Sequence, residues 1–307
     1  MIPIRRIGFA SFDSGDIEKS VDYYTNVLGL SLLDRVGGTA WLACPGDALS
    51  VVLNASQRPA GEAAHCGQIG LQIGPQDDLA EVEHHLRGLG LSPERVSDVG
   101  PGVAAQVRVT DPAGVRVCVH NAVPPVPRAA TCGVVPRKLG HTAFFAPDVQ
   151  KTVEFYQTAL GFRVSDWIGD FFVFLRCGPD HHTVNFLHGP VRRMHHIAFE
   201  LNDWTHVKHA CDELDRHDLH LSWGPGRHGP GHNIYTYHTN PDGIMVELFT
   251  ELDQMSDESL GWFDPRPWHK DRPQRPKVWP PGTPTTNFWG VARPVGINEQ
   301  RETNAPR

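Results

Sequence analysis

Apolar residues recur at helical spacing in four stretches of this 307-residue chain. One predicted helix begins after Pro147 with Asp148 as its N-cap, because aspartate accepts hydrogen bonds from the free N–H groups of a first helical turn. The apolar faces of the four helices are Ile17, Val21, Tyr24 and Leu28; Leu79, Val82 and Leu86; Val149, Val153, Tyr156 and Leu160; and Val207, Ala210 and Leu214. Short apolar runs that indicate strands lie at 41–44, 50–53, 171–175 and 183–187.

The elements recur because the chain contains two copies of one unit. Residues 6–30 align without a gap with residues 138–162, which lie 132 positions later. Residues 110–114 (TDPAG) align with residues 239–243 (TNPDG), which lie 129 positions later. Proline presets φ and glycine supplies a left-handed position, so both segments are predicted hairpin-type turns. Each half is therefore expected to form strand, helix and strands, and then the same order again.

Three candidate metal ligands of the second copy, His141, His196 and Glu247, lie in short apolar segments with strand character. Glu247 stands between Val246 and Leu248, where an unpaired carboxylate inside a sheet is costly. A metal ion would remove that cost, and two imidazoles with one carboxylate form non-haem Fe(II) sites that keep open positions. The first copy has Phe9, Gln68 and Cys118 at the corresponding positions. Because all three candidates are lost together, we expect one half to keep a metal and the other to keep only the fold.

The composition and net charge exclude some classes of protein and favour others. Hydrophobic residues make up 40% of the chain and charged residues 21%, which is ordinary for a globular protein. The net charge of −7 gives no reason to expect nucleic acid or an anionic membrane as a partner. No apolar run is long enough to span a membrane, and the N-terminus lacks the apolar core of a signal peptide. The six cysteines form no CxxC pair, so we expect reduced thiols in a cytoplasmic enzyme.

Two groups of residues in the second half carry a resemblance to a known family. The first is 226–228 (GRH), Tyr237, 240–243 (NPDG) and 246–249 (VELF), and the second is 180–183 (DHHT) with 194–197 (MHHI). In these motifs the chain resembles the vicinal oxygen chelate superfamily, and within it a type I extradiol catechol dioxygenase, over about residues 5–250. The family usually has Asp-Pro at the turn where this chain has Asn240-Pro241, a departure that touches no ligand. The resemblance implies an α+β fold of two tandem domains, each with two βαβββ modules that form a curved mixed sheet or open barrel around the site.

The resemblance also implies roles for single residues. The second histidine of each pair is the functional one, so His196 is expected to be a metal ligand and His182 the acid–base group. Histidine suits proton transfer because its charge can change near neutral pH. His228 and Tyr237 are expected to be hydrogen-bond partners of a substrate hydroxyl.

The neighbours of these residues are expected to have other surroundings. Side chains alternate along a strand, so His195 should face away from His196, and His181 should face away from His182 and be exposed. Asn233 lies in a glycine-rich loop whose composition alone explains it, with a substrate contact as the alternative.

We predict an N-terminal domain without metal at 1–125, a catalytic metal-binding domain at 126–250 and a C-terminal extension at 251–307. A proline-rich stretch at 123–128 is the expected linker. The extension has no copy elsewhere and contains Trp262, Trp268, Trp279 and Trp289. Disordered segments are poor in aromatic residues, so we expect most of the extension to pack over the barrel mouth or a neighbouring subunit, and only the last ten residues to be disordered.

The resemblance implies an enzyme that uses Fe(II), with Mn(II) as the alternative metal. It would insert both atoms of O₂ into a catechol-type aromatic and give a muconic semialdehyde-type product. We also expect a homo-oligomer. Two alternatives stay open at this point: a hydroquinone-type ring cleavage on the same scaffold, and a non-catalytic protein that binds small aromatic molecules. A glyoxalase-type isomerase is disfavoured, because it needs a fourth protein ligand that the first half does not offer.

Overall fold

The structure, a computed structural model, describes residues 2–57, 66–125, 132–190, 193–264, 275–282 and 285–290. Its first half forms one eight-stranded sheet with two helices. The elements are β1 (Arg6–Ser14), α1 (Ile17–Asp22), β2 (Ser31–Val36), β3 (Thr39–Ala43), β4 (Val51–Ala55), β5 (Cys66–Ile73), α2 (Leu79–Gly88), β6 (Glu94–Gly100), β7 (Val103–Thr110) and β8 (Arg116–Asn121). The strand order is β2-β3-β4-β1-β5-β8-β7-β6.

The second half repeats this arrangement and adds one strand from the C-terminal extension. Its elements are β9 (Lys138–Ala146), α3 (Val149–Thr158), β10 (Arg163–Ile168), β11 (Phe172–Arg176), β12 (Val184–His188), β13 (Arg193–Glu200), α4 (Trp204–Arg216), β14 (Trp223–Arg227), β15 (Ile234–Thr239) and β16 (Met245–Thr250). The extension contributes β17 (Gln254–Asp257), β18 (Trp262–Asp264) and β19 (Lys277–Trp279). The nine-stranded order is β14-β15-β16-β13-β9-β12-β11-β10-β19.

Each sheet consists of two βαβββ modules, as the sequence predicts. Within a module the first strand runs parallel to the last, as in β1 with β4 and β13 with β16. The two modules of a sheet join through an antiparallel pair of first strands, β1 with β5 and β9 with β13. The predicted α+β fold of two tandem units with curved mixed sheets is therefore confirmed.

Local sequence signals account for the helices. The Asp148 side chain accepts a hydrogen bond from the Lys151 backbone N–H at 2.9 Å and caps α3, as predicted. Asp16 caps α1 in the same way. The first helix differs from the expected regular helix, because α1 continues as a π-helical turn over Tyr23–Val27 with wider i→i+5 hydrogen bonds. Apolar residues of all four helices pack into one core that spans both halves.

A reciprocal pair of hydrogen bonds joins the two halves. Tyr24 of the first half accepts one from the Asn240 side chain in the turn of the second half, at 3.2 Å. Tyr156 of the second half donates one to Asp111 in the turn of the first half, at 3.0 Å. Each helix tyrosine thus bonds to the β-turn of the other copy.

Some predictions concern residues outside the described part of the chain. The linker at 123–128 is described only to residue 125, and Trp268 and the last ten residues also fall outside. The domain limits at 125 and 250 therefore stay predictions. The five cysteines with described side chains are free thiols. Among the helices that the structure describes, none is both long and apolar enough to cross a membrane.

Candidate metal centre

The three candidate ligands lie on three adjacent strands at the centre of the second sheet. His141 is on β9, His196 on β13 and Glu247 on β16. The His141 Nε2 atom is 3.2 Å from His196 Nε2 and 3.1 Å from Glu247 Oε2. His196 Nε2 is 3.3 Å from the same carboxylate oxygen. The sheet therefore brings together residues that are far apart in sequence, as the spacing of the motifs predicted.

These distances fit a metal ion held on one face by three ligands. Ligands at right angles around an ion with bonds of about 2.0–2.3 Å lie about 2.8–3.3 Å apart. The three residues are at most 3% exposed, and together they form a group able to hold a metal ion. Two imidazole nitrogens without hydrogens and a carboxylate oxygen that converge in a buried place repel one another, and a cation between them would remove that repulsion. The donor set suits Fe(II) or Mn(II).

The Glu247 carboxylate is held by two further side chains. Tyr237 donates its hydroxyl hydrogen to Oε2 at 2.9 Å, and Asn233 donates its amide hydrogen to Oε1 at 2.9 Å. Burial raises the pKa of Glu247, but the neighbouring His141 and His196 more than offset this effect and bring the pKa to about 2. The carboxylate is therefore ionised and oriented before any ligand binds.

His195 differs from its predicted position. The pairing of β13 with β9 is irregular between Met194 and His196, so the strict alternation of side chains fails there. The His195 Nδ1 atom lies 2.6 Å from His196 Nδ1, and the ring lines the same cavity as the candidate ligands. Burial lowers the pKa of His195 to about 4, so the ring is neutral. For His196 to bind a metal through Nε2, its ring hydrogen must be on Nδ1, from which it would be donated to Nδ1 of His195.

His182 lies beside the candidate ligands, with its ring centre 4.3 Å from that of His141. Burial lowers the pKa of His182 well below its usual value, and the neighbouring His141 and His181 add to the shift. The prediction that His181 is exposed is wrong. Its side chain is fully buried because Nε2 pairs with the buried Asp166 carboxylate at 3.1 Å.

His228 and Tyr237 lie against each other on the other side of the centre. The His228 Nε2 atom is 3.1 Å from the Tyr237 hydroxyl oxygen. His228 Nδ1 donates to the backbone carbonyl of Thr286 at 2.7 Å, which fixes the ring. Burial and the charge of Glu247 raise the pKa of Tyr237 well above its usual value, so its hydroxyl stays protonated.

All six predicted site residues line one cavity of about 240 Å³. Much of its wall is apolar, with Ile168, Phe171, Phe172, Phe174, Leu187 and Trp223. Gly282, Thr285 and Thr286 of the C-terminal extension complete the wall. No lysine or arginine lines the cavity among the residues that the structure describes.

Sequence reasoning missed three contributors to this centre. Asn233 contacts Glu247 although its loop composition alone seemed to explain it; its place between the GRH motif and Tyr237 was the available signal. His195 could not be placed without knowledge of the strand irregularity. Thr286 contributes through a backbone carbonyl, for which a sequence holds no signal.

Comparison with known proteins places the chain in a family. The model of the Glyoxalase/Bleomycin resistance protein/Dioxygenase superfamily matches residues 6–119 and again 138–248. Metapyrocatechase 2 from Cupriavidus necator is 33% identical over 130 residues, which cover 42% of this chain and 41% of that protein. Biphenyl-2,3-diol 1,2-dioxygenase from Paraburkholderia xenovorans is 27% identical over 308 residues, which cover 90% of this chain and 94% of that protein.

A solved structure supports the same fold. The Mn(II)-bound glyoxalase from Novosphingobium aromaticivorans superposes with a TM-score of 0.82 at 24% identity, over 95% of this chain and 93% of that one. The family model matches once in each half, in agreement with the two copies seen in the sequence and in the two sheets. This chain therefore belongs to the Glyoxalase/Bleomycin resistance protein/Dioxygenase superfamily.

Proposed function

We propose that this chain is an extradiol dioxygenase that binds Fe(II), or Mn(II), through His141, His196 and Glu247 and cleaves the ring of a catechol-type substrate. The observation that carries the proposal is the convergence of those three donors in one cavity with His182, His228 and Tyr237. The expected reaction class agrees with the named relatives, one of which is a biphenyl-2,3-diol 1,2-dioxygenase matched over nine tenths of this chain.

A divalent metal in this place would lower the pKa of a bound substrate hydroxyl and offer open positions to the substrate and O₂. Asn233 and Tyr237 hold the Glu247 carboxylate, and His195 holds the ring of His196. These contacts orient the ligands before binding, so little reorganisation accompanies the reaction.

Tyr237 and His228 would bind and orient a substrate hydroxyl. The one hydroxyl hydrogen of Tyr237 is donated to Glu247, and the ring hydrogen of His228 is donated to Thr286, so the Tyr237 oxygen and His228 Nε2 are acceptors for the hydrogen of a substrate hydroxyl. Positioned partners of this kind hold the two reactants in a productive geometry.

His182 would exchange a proton with the substrate. Its low pKa makes it neutral when the substrate enters, so it can first accept a proton and later return it to the opened product. The ring of His182 packs against the ring of His141. It therefore lies beside the proposed metal ligands and is not one of them.

The cavity wall supports a substrate with an uncharged, apolar ring substituent. Phe171, Phe172 and Trp223 offer aromatic and apolar surface, and the described lining contains no cation that would pair with a substituent carboxylate. A catechol with an alkyl or aryl group therefore fits better than a catechol acid.

Two expectations remain predictions alongside this proposal: location in the cytoplasm and assembly into a homo-oligomer. A non-catalytic aromatic-binding protein would have no use for a proton-transferring histidine beside three metal donors. Hydroquinone-type cleavage would use the same donors, and the position of ring opening in the product distinguishes it.

An oxygen electrode tests the proposal with protein that is purified without air and loaded with Fe(II). We expect equimolar uptake of O₂ and an alkyl- or aryl-substituted catechol, with a yellow ring-opened product. The His182→Ala variant should keep its iron and lose about 10²- to 10⁴-fold in kcat, because it lacks the proton-transfer group. Iron-loaded wild-type protein that consumes no O₂ with any catechol would contradict the proposed function.

A further inference from the structure

His182 is the end of a buried chain of hydrogen-bonding groups that leads away from the cavity. Its Nδ1 atom lies 3.0 Å from Nδ1 of His181. The Nε2 atom of His181 lies 3.1 Å from Oδ2 of Asp166, a residue of β10. Both His181 and Asp166 are 0% exposed, so water does not compete for these contacts.

The C-terminal extension holds the far end of this chain. Trp279 donates its Nε1 hydrogen to Asp166 Oδ2 at 2.7 Å, and the backbone N–H of Lys277 donates to Oδ1 at 2.9 Å. Both residues lie on β19, which pairs with β10 directly opposite Asp166. Each oxygen of Asp166 thus accepts a hydrogen bond from a group that can only donate.

The direction of every hydrogen bond follows from that carboxylate. Because Asp166 accepts, His181 carries its hydrogen on Nε2, and its Nδ1 is an acceptor. His182 must then donate from its own Nδ1. The hydrogen of neutral His182 is consequently on the atom that faces away from the reaction, and the lone pair of Nε2 remains for the substrate.

Packing holds the two rings in this arrangement. Phe263 of β18 packs against the ring of His181 at 4.7 Å between centres. Gly231 has φ +75°, and a Cβ there would lie 3.2 Å from His181 Nδ1 and 3.3 Å from His182 Cε1. The backbone N–H of His181 donates to the carbonyl of Asp253 at 2.9 Å. The rings therefore have little freedom to turn.

We propose that Asp166 and His181 are positioning residues, held by Trp279 of the C-terminal extension, which fix the ring orientation and tautomer of His182 so that Nε2 exchanges the proton with the substrate. This inference rests on the proposed function for the role of His182. The N–H groups of Trp279 and Lys277 support Asp166 from outside the cavity, while the tautomer of His182 depends on the carboxylate itself.

The tautomer can be read directly by ¹⁵N NMR of the histidine rings in the full chain loaded with Zn(II), a diamagnetic stand-in for Fe(II). The signals of His182 are assigned by their loss in His182→Gln. We expect wild-type His182 to carry its hydrogen on Nδ1. The matched control Trp279→Phe keeps the Asp166 carboxylate and should show the same tautomer.

The double variant Asp166→Asn with Trp279→Phe should reverse the tautomer. The amide oxygen of the new asparagine would accept from the Lys277 N–H, and its NH₂ group would then donate to His181 Nε2. His181 would donate from Nδ1 to His182, whose hydrogen would move to Nε2. Kinetically, we expect kcat to fall about 10- to 100-fold relative to Trp279→Phe, with little change in KM for the catechol and with equal iron content.

Reversal of the tautomer together with the selective loss of kcat supports the proposal. A hydrogen on Nε2 of His182 in the wild type, an unchanged tautomer in the double variant, or equal kcat in the double variant and the control would overturn it. If wild-type protein oxidised no catechol, the proposed function would fail, whereas the NMR comparison would still decide the positioning role.

Discussion

The candidate metal centre and its counterpart in the first half occupy the same places in two sheets and contain different side chains. In the second sheet, Ala198 pairs with His141 on one side and with Glu247 on the other. In the first sheet, Gly70 pairs with Phe9 and Cys118 in the same way. The backbone positions therefore correspond residue by residue, as the sequence alignment of the two copies predicted.

The first-half positions form an apolar cluster. Phe9 and Cys118 are at most 1% exposed and pack with Leu49, Val52 and Val103. Burial raises the pKa of the Cys118 thiol to about 12, so it stays neutral. Its Sγ atom donates to the Gln68 side-chain oxygen at 3.2 Å. A cavity of about 200 Å³ remains beside this cluster.

The difference shows that the fold does not need the ligand residues. The first half builds the same strand order with a phenyl ring, an amide and a thiol at those positions. The two imidazoles and the carboxylate of the second half cannot make the apolar contacts that Phe9 makes in the first. Their burial costs free energy unless a partner such as a metal ion compensates for it. Their presence in the second half is therefore explained by chemistry and not by folding.

The largest loss of metal binding and activity is expected when a candidate ligand of the second half is replaced by the residue at the corresponding position of the first half. His141→Phe should remove metal binding and lower activity more than about 10³-fold, because it deletes one of three donors. Elemental analysis and O₂ uptake measure the two losses. Phe9→Leu is the matched control and should keep the wild-type iron content. Iron retained at one ion per chain in His141→Phe would show that this residue is not a ligand.

A smaller loss of metal affinity is expected when a hydrogen bond to the Glu247 carboxylate is removed. Asn233→Ala removes the hydrogen bond to Glu247 Oε1, and we expect metal affinity to fall about 10- to 100-fold. Competition with a chelator measures this affinity. Asn54→Ala removes an amide from the first-half cavity and should leave the affinity unchanged. Equal affinities for both variants would mean that Asn233 does not orient the carboxylate.

The smallest effect on metal binding and activity is expected at the two β-turns, where Asp111 of the first half stands in the place of Asn240. Burial raises the pKa of Asp111 to about 6, against the opposing hydrogen bond from the Val115 N–H. The folded chain then binds more protons than the unfolded chain between pH 4 and 6, so the stability contributed by this group falls as pH rises through that window.

Asp111→Asn should remove this pH dependence, since an amide can bond to Tyr156 as Asn240 bonds to Tyr24. Each pKa unit corresponds to about 1.4 kcal/mol, so the rise of the Asp111 pKa from 3.8 to about 6 leads us to expect that the variant gains on the order of 3 kcal/mol over the wild type at pH 7 and little at pH 4. Urea unfolding at both pH values measures the difference. A variant equally destabilised at both would contradict the raised pKa.

Much of the fold was accessible from local patterns in the sequence. Apolar spacing and the capping aspartate Asp148 located the helices, because both signals act within a few residues. The two copies of the repeat gave the order of the modules and showed which half carries the candidate ligands. The turn motifs located the last strand of each copy of the repeat. The three candidate ligands were recognised because they are polar residues in apolar strand segments, where burial alone does not explain them.

Tertiary structure alone decided what surrounds the ligands. An irregularity in β13 brings His195 to the cavity, and a buried carboxylate, Asp166, receives His181 from the neighbouring segment. Trp279 contacts Asp166 although it lies more than a hundred residues later in the sequence. It belongs to the C-terminal extension, which has no copy in the repeat. Such contacts depend on where whole strands meet, so no spacing or periodicity along the chain records them. The sequence determined which residues can hold a metal; the packing of distant segments decided how they are oriented.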